Sequence, residues 1–244
     1  MALSASRDKT CILWNISDGT PIRTLRGHRH WVFDCALSAD GKLALTASRD
    51  KTCILWNTCD GTTIHTLRGH TQIVTGCALS ADGKLALSAS ADKTCILWNT
   101  SDGTPIRTLR GHEDRVTGNC ALSADGKLAL SIYDEHAYII WNTFEGKQPI
   151  RKLNGHNNSV TDCVLSADGK LALSASRDKT CILWNTCDGT TIHTLRGHTH
   201  FVTGCALSAD GRLALSAGSH DTICILWNTS DGTPIRTLRG HEDR

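Results

Sequence analysis

Serine, histidine and aspartate are the residue types that a hydrolase assembles into a nucleophile, a base and an orienting acid. All three are plentiful in this 244-residue chain, and they recur in sets: His28, Thr46 and Asp50; His70, Ser88 and Asp92; His156, Ser174 and Asp178; His198, Ser216 and Asp221. A catalytic set differs from its surroundings and occurs once. Near-equal copies at a fixed interval point instead to a structural use of the same hydrogen-bonding groups. No GxSxG, P-loop or HExxH pattern is present. The expectation is a chain that is not an enzyme, with no catalytic residue and no cofactor.

Metal and redox chemistry fare no better. Ten of the twelve cysteines fall at two recurring positions: Cys35, Cys77, Cys120, Cys163 and Cys205, then Cys11, Cys53, Cys95, Cys181 and Cys224. There is no CxxC and no Cys/His spacing suited to zinc. Cysteine therefore reads as a small buried hydrophobe. Of the twelve histidines, only His30, His136, His200 and His220 lie outside the Gly-His pairs and the paired d-run positions His65 and His193. No metal site is expected.

Lys and Arg total 26 against 24 Asp and Glu, a net charge of +2. That balance makes no electrostatic case for nucleic acid or an anionic membrane as partner. There is no export signal and no apolar run near 18 residues. The chain reads as soluble and cytoplasmic.

The recurring sets are positioned by a repeat of about 42 residues, seen most clearly in residues 69–99. Val74 to Leu79 is an apolar run, a. Ser80-Ala81-Asp82-Gly83 turns the chain into a second run, b, from Leu85. Ser90-Ala91-Asp92-Lys93 turns it into run c, Thr94 to Trp98, and Ser101-Asp102-Gly103 into run d, Pro105 to Arg110. Connections this short predict four antiparallel strands. Runs a to c lack clean polar alternation, so both sheet faces must be covered. Stacking such sheets around an axis covers them. Run d, with Pro and two Arg, suits an outer edge.

Six Trp mark six c strands, at 14, 56, 98, 141, 184 and 227, but only five a strands precede them. The chain is therefore read as one all-β domain: a propeller of six four-stranded blades, five complete and the first lacking its innermost strand. The blades are taken as residues 1–27, 28–69, 70–111, 112–155, 156–197 and 198–244. Residues 35–71 and 163–199 differ at two places, Ala36/Val164 and Thr46/Ser174, as expected of a three-blade block copied in tandem. Blade 4 is the divergent copy, with Asn119 inserted, Glu135 near its b–c turn and a longer c–d turn at residues 144–148.

The Gly-His pairs, the Ser-Ala-Asp-Gly-Lys and Ser-x-Asp-x-Thr turns and the Trp-Asn pairs together resemble the WD-repeat β-propeller family over the whole chain. One departure is uniform: the family's Trp-Asp is Trp-Asn at all six places. The resemblance implies that His, Ser or Thr, Asp and Trp form one hydrogen-bonded set in each blade. Those sets would comprise His28, Thr46, Asp50 and Trp56; His70, Ser88, Asp92 and Trp98; His156, Ser174, Asp178 and Trp184; and His198, Ser216, Asp221 and Trp227. Blade 4 offers His112, Ser131 and Trp141. Blade 1 offers Ser4, Asp8 and Trp14 and has no His of its own, a place His241 would fill if the ring closes.

Where copies agree, the fold needs the residue; where they differ, binding or drift is at work. The three residues after each Gly-His and the residue before each turn acid vary most, and both sets lie at the same end of their strands. In the family, that rim commonly binds partners. The candidates for binding a protein or peptide are Trp31, Phe33, Arg49, Arg115, Asp134, Arg177, Phe201 and His220. The competing expectations are a fragment of a larger repeat array without independent activity and, less favoured, a small-ligand binder at the central channel. The incomplete first blade also predicts either a strained closed ring or self-association of chains.

Overall fold

Turn chemistry explains why these runs become hairpins. In the turn after strand Val74–Leu79, the Ser80 hydroxyl donates to Asp82 Oδ1 at 2.7 Å and accepts the Leu85 N–H at 3.0 Å. Gly83 supplies the left-handed φ of +69° that closes the turn. The next turn places Lys93 at φ +68°, which costs a residue with a Cβ roughly 1–2 kcal/mol. Asp92 offsets it, because its Oδ1 accepts both the N–H and the hydroxyl of Thr94, at 3.1 and 2.6 Å.

The structure, a computed structural model, describes residues 1–240 apart from 117, 133, 135, 146 and 147. Glu135 and His241 thus lie outside the described residues. Within them the chain forms 23 strands and no helix, arranged as five four-stranded sheets and one three-stranded sheet, antiparallel throughout. The three-stranded sheet is the first, Ala2–Ala5, Thr10–Trp14 and Pro21–Arg26. Blade 4 is the irregular one: its inner strand shrinks to Cys120–Leu122 and its outer strand to Arg151–Asn154. The sheets are the blades of a six-bladed β-propeller, with inner strands around a central channel. No helix is long and apolar enough to cross a membrane.

The core lies between sheets. Trp56 packs with Cys11, Leu13 and Leu25 of the preceding blade. Trp98 packs with Leu45, Cys53, Leu55 and Leu67, and Trp227 with Leu173, Cys181, Leu183 and Leu195. Trp56, Trp98, Trp141, Trp184 and Trp227 are each no more than 2 % exposed. Burying an indole of roughly 150–250 Å² stabilises by about 4–6 kcal/mol at most, several times one hydrogen bond. Gly27, Gly69, Gly155 and Gly197 let the chain cross close over these rings; a Cβ at Gly27 would stand 2.8 Å from Trp56.

One seam departs from this pattern. Leu25, Leu67, Leu109, Leu153 and Leu195 are at most 2 % exposed, whereas their equivalent in blade 6, Leu238, is 45 % exposed. All of Pro234–Arg239 is exposed, and Trp14, on the facing side of blade 1, is half-buried. Among the described residues, nothing covers the two faces that would meet if the ring closed.

This gives an expected ranking. Trp98→Ala should cost about 3–5 kcal/mol in urea unfolding, and Trp14→Ala less than half as much. Equal losses would show that the seam is closed in solution.

Candidate functional site

At the rim end of blades 2, 3, 5 and 6, one chain of hydrogen bonds runs from the core to the surface. In blade 3 the Trp98 N–H donates to Ser88 Oγ at 2.8 Å, Ser88 Oγ lies 2.7 Å from His70 Nε2, and His70 Nδ1 lies 2.9 Å from Asp92 Oδ2. A single proton order satisfies every atom: the serine hydroxyl donates to Nε2 of a neutral imidazole, whose Nδ1–H donates to the carboxylate. The same arrangement joins Trp56, Thr46, His28 and Asp50. It also joins Trp184, Ser174, His156 and Asp178, and Trp227, Ser216, His198 and Asp221. Each Asp Oδ2 further accepts a backbone N–H of the rim loop, from Arg29, Thr71, Asn157 or Thr199. The four sets thus fix the base of the rim loops. The hydroxyl in each is committed to the indole and the imidazole, and His70 Nε2 and Trp98 Nε1 converge on one buried oxygen.

Electrostatics agree with that role. Burial pushes Asp50 and Asp178 up, but hydrogen bonds from the imidazole, the turn threonine and the loop N–H prevail and hold both below the usual carboxylate range. Burial pushes His70 down, against Asp92. Blade 4 has no such acid among the described residues: His112 Nε2 lies 2.8 Å from Ser131 Oγ, and its Nδ1 faces the Lys93 carbonyl at 3.2 Å. Blade 6 differs at its turn, where Ile223 stands in place of a threonine and leaves Asp221 Oδ1 buried without a donor. In blade 1, Trp14 donates to Ser4 at 2.8 Å.

The inner wall carries a second device that spacing alone did not single out. Asp34 Oδ2 accepts the Cys77 N–H of the next blade at 2.8 Å, and Asp162 Oδ2 accepts that of Cys205 at 2.9 Å. Burial raises both carboxyls, Asp34 to about 6. The signal was present in the sequence: blades 2 and 5 carry Asp where blades 3 and 6 carry Gly76 and Gly204. A Cβ at Gly76 would lie 2.9 Å from the Gly118 carbonyl oxygen, so this glycine lets the inner strands of blades 3 and 4 approach closely, whereas a Cβ at Gly204 would meet Asp162 Oδ2 only at 3.9 Å. Burial also pushes the Cys35 thiol to about 12 and Cys77, Cys120, Cys163 and Cys205 higher, which removes them from thiolate chemistry.

The candidate partner-binding residues gather on one rim, around the channel mouth. A cavity of about 490 Å³ opens there, lined by Phe33, Asp34, Ile73, Thr75, Arg115 and Asp162 among others. Phe33 and Phe201 are 39 % and 40 % exposed. Trp31 is half-buried, with the Arg7 and Arg49 guanidinium carbons 5.0 and 4.9 Å from its ring centroid. Arg177 stacks on Phe201 at 5.8 Å, and His220 meets the same ring edge-on at 6.4 Å. Arg115 is exposed over the cavity. Asp134 is engaged by Lys152 at 2.9 Å. Arg7 was not among the candidates, although it occupies the same turn position as Arg49. Among the described residues no group of acidic, histidine and cysteine side chains could hold a metal ion.

The family described as WD domain, G-beta repeat matches residues 19–57, 61–99, 147–185 and 189–228, more than half of the chain. Over 49 residues the chain is 53 % identical to MST50-interacting protein 11 of Pyricularia oryzae. Stretches of the same length are 49 % and 51 % identical to small ribosomal subunit protein RACK1 of Saccharomyces cerevisiae and Neurospora crassa. Each match covers 18 % of this chain and 15–16 % of the relative.

His112 gives the blade networks a testable pH dependence. Burial pushes its imidazole down to about 4, against the Lys93 carbonyl and the Asp92 charge. The folded value lies below that of the unfolded chain, so this stability is intact above about pH 6.5 and is lost as pH falls toward 4; at pH 5 the loss is about 2 kcal/mol. Urea unfolding at pH 7 and pH 5 should show a smaller drop for His112→Gln than for wild type. The same drop in both proteins would contradict it.

Proposed function

This chain belongs to the WD domain, G-beta repeat family, and from that premise we propose that it is a non-enzymatic scaffold which binds a protein or peptide on the rim around the channel mouth. The observation that carries the reading is the contrast between the two kinds of rim group. The repeated His, Ser or Thr, Asp and Trp side chains are consumed by one another, whereas Arg49, Arg115, Arg177, Phe33 and Phe201 take no part in those networks. Arg49, Arg115 and Arg177 are exposed with no carboxylate partner among the described residues, beside the exposed rings of Phe33 and Phe201. Arg and aromatic residues beside a concave mouth are the side chains that dominate interface energies. The names of the relatives, an interacting protein and ribosomal subunit proteins, support association as the shared use of such repeats. The free thiols support a cytoplasmic setting.

A triple variant, Trp31→Ala with Arg49→Ala and Arg177→Ala, should lose most of the partner captured by wild type in a pull-down. Arg212→Ala, in an a–b turn on the opposite rim, should not. Identical capture by all three proteins would overturn the rim reading.

A second reading rests on the seam. The exposed Leu238 and the half-buried Trp14 belong to the same kinds of face that are dry between every other pair of blades, which favours self-association of chains through them. Light scattering after gel filtration should then give a mass that rises with concentration above 26.4 kDa. A constant monomer mass would remove the idea.

A further inference from the structure

The net charge of +2 conceals a strong local excess. Arg7, Lys9, Arg29, Arg49 and Lys51 lie in two adjacent b–c turns and the loop between them. All five are exposed, and none has a carboxylate partner among the described residues. The acids of the same turns are engaged within the fold. Asp8 Oδ1 accepts the N–H and hydroxyl of Thr10, and Asp50 is divided among Thr52, His28 and the Arg29 N–H. Across the rim blade 4 is mixed, with Glu113 and Asp114 beside Arg115, and Asp134 engaged by Lys152. The densest cluster of unpaired cations among the described residues is therefore on blades 1 and 2, with Arg177 and Lys179 forming a smaller one on blade 5.

Within it, Trp31 organises two of the charges. The Arg7 and Arg49 guanidinium carbons stand 5.0 and 4.9 Å from its ring centroid, so one indole carries two guanidiniums that are no more than about 10 Å apart. The electron-rich ring face offsets part of their repulsion. A guanidinium stacked on a ring keeps its N–H donors in its own plane, directed away from the ring and fixed in orientation. Phe33 adjoins the same indole edge-on at 6.4 Å and leads into the channel mouth, whose wall here includes Ile73 and Ala91. Forked donors for oxyanions thus sit beside the apolar part of the channel mouth, formed by Phe33, Ile73 and Ala91.

We propose that Arg7 and Arg49, stacked on Trp31, form a receptor for the carboxylates of an acidic peptide segment whose neighbouring apolar side chain rests against Phe33 in the channel mouth. The inference rests on the rim reading above and gives the partner a chemistry. Residues i and i+2 of an extended peptide lie about 7 Å apart on one side, within the upper bound of about 10 Å that the shared indole sets on the guanidinium separation, so two glutamates can address the two arginines. A peptide suits the site better than a nucleic acid. The patch is short, the apolar side chains of Phe33, Ile73 and Ala91 adjoin it, and a polyanion continuing around the rim would meet Glu113 and Asp114 of blade 4.

The test is fluorescence anisotropy with labelled peptides of alternating glutamate and leucine. The controls are the same peptide with glutamine, the same with phosphoserine, and a single-stranded DNA of equal charge. The glutamate peptide should bind, weaken with added salt, and lose about tenfold in affinity in Arg7→Ala and again in Arg49→Ala. Arg49→Lys keeps the charge but not the fork and should recover part of the loss, while Arg212→Ala should bind as wild type. Circular dichroism melts show whether each variant is folded. Unchanged affinity in folded Arg7→Ala and Arg49→Ala, or equal binding of the glutamine peptide, overturns the receptor while leaving intact the rim reading, which the pull-down tests separately. Binding of the phosphoserine peptide alone, or tighter binding of the DNA, overturns the carboxylate peptide as its ligand.

Discussion

Five buried indoles tie each blade to its neighbour. Each lies in the contact between one sheet and the next, so its burial is worth something only when the neighbouring blade is present. A single four-stranded sheet with an exposed tryptophan face would not be stable alone. The indole N–H creates the second requirement, because a buried donor must find an acceptor. Ser88 and its equivalents supply the acceptor and pass the constraint through His70 to Asp92, which in turn holds the first backbone N–H of the rim loop. Core packing and loop position are thus joined by one line of hydrogen bonds. Hydrophobic burial supplies most of the energy, and the polar line supplies direction.

The same logic explains why the networks are not sites of chemistry. Thr46, Ser88, Ser174 and Ser216 are at most 1 % exposed beneath the indoles, so no substrate reaches their hydroxyls. The imidazole is enclosed, and its acid is occupied by up to four hydrogen bonds in Asp50. The surface left over for function is what the repeat does not use. In blades 1 and 2 it is a tryptophan between arginines, and in blades 5 and 6 a phenylalanine between Arg177 and His220. The two sectors are related by position in the repeat but differ in charge, so the rim is not equivalent around its circumference.

Irregular places in the chain have local causes. Blade 4 carries an inserted residue beside its inner strand, and that strand is the shortest of the five inner ones. Blade 6 carries an extra residue before Asp221 and an isoleucine after it, and one carboxylate oxygen is left without a donor. Asp34 and Asp162 each reach across to accept a backbone N–H of the next blade. These inter-blade bonds cost the carboxyls part of their solvation, which is why their proton affinity rises.

Much of the fold was legible in the residue order because its determinants are local. Asp-Gly and Ser-x-Asp-x-Thr turns close within five residues, and apolar runs of five or six between them can be little else than short antiparallel strands. The period then identified which residues are equivalent, and the resemblance to the WD-repeat family supplied the membership of each His, Ser or Thr, Asp and Trp set. The period did not say which residues are adjacent. That Trp31 meets Arg7 from the preceding blade as well as Arg49, that Asp34 bonds to Cys77 rather than within its own sheet alone, and that Leu238 faces solvent while five equivalent leucines are dry are decided by how the blades are set beside one another. Equivalence along the chain comes from repetition; contact across it depends on the packing angle and on whether a neighbour is there, and neither is written in any single repeat.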